Sequence, residues 1–115
     1  MIEYPHDIPP AAGEAITVAD GIFWIRMPLP FALNHINLWL LADEDEHGPC
    51  WTIVDTGYGV EATHALWLQH FTTTLSGGRV SRIIVTHYHP DHVGSSAWLH
   101  EKTGAPVWMT AAEYL

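Results

Sequence analysis

The chain has a single cysteine, Cys50, in 115 residues, so no disulfide can close within it, and a reducing compartment suits it. Basic residues are nearly as scarce. Four Lys and Arg stand against 13 Asp and Glu, for a formal net charge of −9. Nucleic-acid binding needs a basic footprint, so no nucleic-acid partner is expected. No apolar run approaches the ~20 residues of a membrane helix, and Met1 to Pro10, polar and proline-rich, lacks the apolar segment of a secretory leader. The chain therefore reads as soluble and cytoplasmic, with no membrane association. Internal repeats, linkers and low-complexity tracts are also missing, which leaves one domain at most.

What is present is a sequence that folds: 48% hydrophobic, with six Trp, at a length that can bury a core. Pro5, Pro9, Pro10 and Gly13 mark residues 1–14 as an irregular tail, and the domain occupies 15–115. Ala15 to Ala19 and Ile22 to Met27 read as strands joined at Asp20-Gly21. Asn37 to Ala42 and Trp51 to Val54 form a second antiparallel pair around Asp43-Glu44-Asp45-Glu46, read as a solvated hairpin tip. The pattern then changes. Glu61 to Leu75 is helix-like, although Thr72-Thr73-Thr74 predicts an earlier end. Ile83 to Val85 is a short buried strand, Ser95 to Thr103 a helix, and Val107 to Met109 a further strand, with a helix beginning at Ala111. Strands alternating with helices imply a parallel sheet with right-handed crossovers. Functional groups then collect at the carboxyl ends of the strands, where Asp55 and His87 fall.

The densest chemistry lies in Thr86-His87-Tyr88-His89-Pro90-Asp91-His92-Val93-Gly94, in which His-x-His-x-Asp-His places four candidate ligands in six residues. Imidazole and carboxylate together suit zinc, iron or manganese better than calcium or magnesium. Along an extended segment His87, His89 and Asp91 project to one side, and His92 lies one step further on. The set is too wide for one small ion and can offer two ligands to each of two ions. A structural zinc site would favour four closed ligands, commonly cysteines. Ser95 and Ser96 do not sit in a nucleophile-elbow pattern. His64 and His70 on the first helix and His100 on the second read as solvent-facing or half-buried. Helix rise places His100 ~12 Å beyond His92, too far to share its ion. Cys50 reads as a small packed apolar residue.

The ligand motif, together with Trp51-Thr52-Ile53-Val54-Asp55-Thr56-Gly57 upstream, resembles the metallo-β-lactamase superfamily from about Gly21 to Leu115. The resemblance implies an α/β fold: the N-terminal half of an αβ/βα sandwich, a mixed sheet with helices on one face. It implies two divalent metal ions, zinc first, with iron or manganese as alternatives. His87 and His89 would hold the first and Asp91 and His92 the second. Asp91 would also be catalytic, orienting the nucleophile and handling its proton. Asp55 would accept an N–H from a ligand imidazole, or else form an Asx-type turn with Thr56 and Gly57.

The activity implied is metal-dependent hydrolysis, with a hydroxide held by both ions attacking a small ester, thioester or lactone. In the family a further His for each metal and a bridging Asp come from later strands. A missing C-terminal half or a second chain is therefore expected to complete the site, and the 115-residue chain alone is expected to be inactive. A branch that binds two irons and reduces oxygen or nitric oxide has Glu at the position of His89, which favours the hydrolase. Two other readings stay open: a mononuclear iron dioxygenase acting on a persulfide, sharing His87 and His89, and a non-catalytic metal-binding or interaction module with an incomplete site.

Overall fold

The computed structural model describes residue 11 and residues 13–28, 35–86 and 94–109. Six strands form one sheet in the order of the chain: β1 (Ile16–Ala19), β2 (Ile22–Pro28), β3 (His35–Asp45), β4 (Gly48–Val54), β5 (Val80–Val85) and β6 (Val107–Met109). The pairings from β1 to β4 are antiparallel, whereas β4–β5 and β5–β6 are parallel. Helices α1 (Glu61–Thr72) and α2 (Ser96–Thr103) make the two parallel crossovers, as the switch from hairpins to alternating strands and helices predicts. The mixed sheet with helices on one face matches the expected fold.

Strand alternation sorts the side chains. The cross-strand row Phe23, Leu40, Ile53, Ile83 and Val107 faces the helices, and Leu40, Ile53 and Ile83 in it are wholly buried, as are Ile25, Met27 and Leu38 beside it. Trp67 of α1 and Leu99 of α2 close this core. One residue further along each strand, Trp24, Trp39, Val54, Ile84 and Trp108 form a row on the opposite face, and every member of it is at least partly exposed. Trp24 and Trp39 stack there with centroids 6.1 Å apart, and Trp108 is 57% exposed.

Several boundaries differ from the sequence reading. The β3–β4 hairpin runs to Asp45 and Gly48, leaving only Glu46 and His47 as its turn. Asp43 and Asp45, expected at a solvated tip, belong to β3 and are paired. Arg79 grips Asp45 through two bonds of 2.6 and 2.8 Å, and Arg82 reaches Asp43 at 3.1 Å. The Arg79 guanidinium, with the His47 backbone N–H, holds the Asp45 carboxyl well below the usual range. The Glu44 backbone N–H, then Arg82, lower that of Asp43. Helix α1 stops at Thr72, as the threonine run suggested. The Thr72 and Thr73 hydroxyls both donate to the Gln69 carbonyl, side-chain competition for backbone acceptors of the kind that discourages further turns. Gly104, in the left-handed conformation at φ 75, ends α2 by donating to the His100 carbonyl. The expected helix from Ala111 lies outside the described residues. Among the described residues no helix is long and apolar enough to cross a membrane.

Candidate functional site

The four candidate ligands His87, His89, Asp91 and His92 lie outside the described residues. Both flanks of their segment are described, and one short turn after β4 holds each of them. The upstream flank is Thr86, directly after β5. Asp55, at the end of β4, is 4% exposed and has φ 69, a left-handed conformation that Asp tolerates better than most residues. Its backbone N–H donates to the Ile84 carbonyl at 2.7 Å, a β4–β5 bond one residue past the end of β4. That conformation accompanies a carboxylate that accepts from the Thr86 backbone N–H at 2.8 Å and the Thr86 hydroxyl at 2.7 Å. Asp55 therefore fixes the residue from which the ligand segment departs. The imidazole N–H that Asp55 was expected to accept belongs to residues outside the described ones.

The downstream flank is Gly94 and Ser95, at the start of α2. Ser95 is wholly buried. Its N–H is shared between the Gly57 carbonyl at 3.0 Å and the Thr56 hydroxyl oxygen at 3.2 Å, and its own hydroxyl donates to the Tyr58 carbonyl at 2.9 Å. The backbones at Gly59 and Gly94 are nearly in contact: a Cβ on Gly59 would lie 2.7 Å from the Gly94 carbonyl oxygen. Beneath the turn, Trp67 donates from its indole nitrogen to the Thr56 carbonyl at 2.8 Å. Gly57, at φ 88, leaves no room for a Cβ against Thr63. Five consecutive residues, Asp55 to Gly59, thus tie β4, β5, α1 and α2 together at both ends of the ligand segment.

Thr86, Thr56 and Ser95 were not assigned these roles in the sequence reading. The available signal was positional. Thr86 and Ser95 border the ligand segment, and Ser95 occupies the residue before α2 where a serine usually caps the helix.

The other histidines separate clearly. His70, expected to be solvent-facing or half-buried, is wholly buried with Nδ1 2.8 Å from the Thr74 hydroxyl and the Trp67 ring against its edge. Its Nε2 has no hydrogen-bond partner among the described residues. Burial holds this imidazole below its ordinary value of 6.5, so the unfolded chain takes up the proton more readily. The corresponding stability is complete above about pH 6.5 and is lost as the pH falls below it. The urea midpoint should therefore drop on acidification more for the wild type than for His70→Phe; equal drops would remove His70 as the cause. His64 stacks flat on Trp98, with ring centroids 4.2 Å apart and planes 2° from parallel, which joins α1 to α2. His100 is exposed, with Nδ1 2.6 Å from the Ala105 carbonyl oxygen. Among the described residues no group of three or more His, Cys, Asp or Glu could hold a metal ion. The 87–92 segment lies outside the described residues. Its three imidazoles and one carboxylate are a donor set suited to zinc and its neighbours in the transition series.

The chain matches the description of the metallo-beta-lactamase superfamily over residues 33–115. It is 38% identical to a hydroxyacylglutathione hydrolase from Albidiferax ferrireducens over 91 residues, covering 76% of this chain and 29% of that protein. A second hydroxyacylglutathione hydrolase, from Marinomonas sp., is 37% identical over 82 residues, covering 70% of this chain and 28% of that protein. The chain thus spans less than a third of the curated relatives it matches. Among solved structures, a beta-lactamase domain protein from Burkholderia ambifaria is 50% identical, with a TM-score of 0.88, covering 96% of this chain and 34% of that one. A metallo-beta-lactamase from Pontibacter korlensis shares the fold at a TM-score of 0.64 and 20% identity, covering 87% of this chain and 44% of that one.

Proposed function

The chain belongs to the metallo-beta-lactamase superfamily, and from that premise we propose that it carries the first ligand set of a metal-dependent thioester hydrolase. Membership implies divalent metal ions, typically zinc. His87 and His89 would hold one ion, and Asp91 and His92 a second. Bound there, the ions supply Lewis acidity and lower the pKa of water to ~7. Asp91 would orient the nucleophile and take or pass its proton. The protein's own contribution is preorganisation: Asp55 on Thr86, and the turn around Ser95, hold the two flanks before any ion arrives. The further ligands would come from chain of the kind the longer relatives have beyond the matched part, or from a second chain.

A thioester is favoured over a lactone or other ester because the two matched relatives are named for hydrolysing hydroxyacylglutathione, in which the acyl group sits on sulfur. The net charge of −9 disfavours a polyanionic substrate, and the single Cys50 agrees with a cytoplasmic setting. The observation that carries the proposal is the His-x-His-x-Asp-His set that follows Thr86 in the sequence, with the described residues on either side of it fixed by one turn. The test uses the full protein as its gene encodes it, with its mass verified. It is expected to hold about two ions per chain and to cleave an S-acylglutathione. His89→Ala is expected to lose metal and to reduce kcat/KM by at least ~1,000-fold. A single iron per chain with no thioesterase activity, or full activity in His89→Ala, would overturn the proposal.

A further inference from the structure

Arg26 is the basic side chain that the described residues leave without a counter-group. Arg79 and Arg82 are held by Asp45 and Asp43, and Lys102 lies over the Trp98 ring. Arg26 is half-buried, and its Nε is enclosed without a hydrogen-bond partner among the described residues. Asn37, directly across on β3, gives its amide oxygen to the Trp24 indole N–H at 2.9 Å. Continuing the β1–β2 register by two residues sets Glu14 level with Arg26. The Glu14 carboxylate accepts instead from the Ala11 N–H and makes no ion pair among the described residues. A buried donor left unpaired gives up its hydration without return, so such groups in folded proteins nearly always have a partner.

Arg26 stands on the sheet face opposite the helices, two residues along β2 from Trp24 and at the end of the sheet where the Asp55 turn lies. The row Trp24, Trp39, Val54, Ile84 and Trp108 crosses five strands on that face with no charged member. At ~4.8 Å per strand spacing it is roughly 19 Å wide. A sheet face that meets water alternates toward polar residues, and a row of this width fits a packed layer of polypeptide better than a small ligand. The chain spans 29% and 34% of two proteins that it matches, so proteins of this family have chain enough for such a layer. We propose that Arg26 forms a buried ion pair with an Asp or Glu carboxylate on a layer of the same polypeptide that covers the tryptophan face. The proposal rests on the reading above that further chain completes this domain. A guanidinium takes a carboxylate through two parallel bonds. The pair therefore fixes the register of the layer, which an apolar row alone leaves free to slide.

The experiment uses the full protein as its gene encodes it. Hydroxyl-radical footprinting, read by mass spectrometry, compares each residue with the same residue in urea. Trp24, Trp39 and Trp108 should lose most of their labelling, whereas Leu68, 50% exposed on α1, should keep most of it. Urea midpoints are then followed from pH 7 to pH 4. Arg26→Met should fall about 1 M below wild type at pH 7, because it abandons a buried carboxylate, and the gap should close toward pH 4. Pairing lowers the carboxylate's pKa in the wild type, so that stabilisation is present above about pH 4 and lost below it. Without the guanidinium burial raises the pKa, so the variant is relieved as the pH falls. Arg26→Lys, which keeps the charge without the fork, should lie nearer the wild type. Arg26→Gln carries the comparison if Arg26→Met does not fold. The gap should persist in a Glu14→Gln background; its disappearance there assigns the pair to Glu14 and overturns the proposal. Equal midpoints, or a gap constant with pH, also overturn it and leave the covering layer standing. Free labelling of the three tryptophans, or protection lost when a dimer is diluted to monomer, overturns the same-chain layer and the ion pair with it.

Discussion

Asp55→Ala is expected to lower the unfolding free energy by about 4–5 kcal/mol and to cut metal affinity, with the proposed hydrolase activity of the full protein, by about 100-fold. The change removes both acceptors of Thr86, the bonds of 2.8 and 2.7 Å to its N–H and hydroxyl, and each bond to a carboxylate contributes about 1.5 kcal/mol or more. It also places alanine at φ 69, where a Cβ without a compensating hydrogen bond costs about 1–2 kcal/mol. Asp55→Asn separates the contributions. Asparagine accepts the left-handed conformation, and its amide oxygen can still take the Thr86 N–H, so it should retain most of the stability. If Asp55→Ala unfolds at the wild-type urea concentration, the carboxylate is not what holds β5 to the turn.

Trp67→Ala is expected to be the most destabilising single change in the core, at about 4 kcal/mol or more. The indole is wholly buried at the centre of the helix-side core, and it also donates to the Thr56 carbonyl at 2.8 Å. Its loss leaves a cavity beneath the turn that grips both flanks of the ligand segment. Trp67→Phe restores much of the volume but not the donor, and should cost about 1–3 kcal/mol. The urea midpoint should shift with little change in slope for Trp67→Phe. A Trp67→Ala protein within about 1 kcal/mol of wild type would show that the helix-side core does not depend on this contact.

The fold was legible wherever pattern and burial agreed. Val107 to Met109 was placed to the residue, and the start of α2 to within one. Strands were underestimated where charge entered them: Asp43 and Asp45 read as a loop because carboxylates are rare in strands, and their partners Arg82 and Arg79 lie 39 and 34 residues away. Val80 to Arg82 were missed at the front of β5, where the polar Ser81 and Arg82 precede the apolar run. On α1 the apolar residues suggested several possible inner faces. The one that packs runs Thr63, Trp67, His70, a stripe with two polar members, while Leu68 is 50% exposed. Nothing in the periodicity picks out that stripe, and so His70 was read as solvent-facing or half-buried. The candidate ligand segment was legible as a motif, because spacing among metal donors is a property of the sequence itself, and its residues lie outside the described ones. The clamps around it were not, since Asp55 to Thr86 and Thr56 to Ser95 span 31 and 39 residues and leave no periodic trace.

The sheet order β1-β2-β3-β4-β5-β6 bears on how this chain comes to be folded. Each strand joins the one made just before it, so no later strand has to be threaded between two that have already paired. Loops closed this way are short, and the entropy lost in closing them grows only slowly with length. The sheet can be laid down in the order of synthesis: the hairpins β1–β2 and β3–β4 first, then α1 and β5, with Asp55 already in place when Thr86 leaves the ribosome. The upstream end of the candidate metal-binding segment would then be anchored before β6 had joined the sheet.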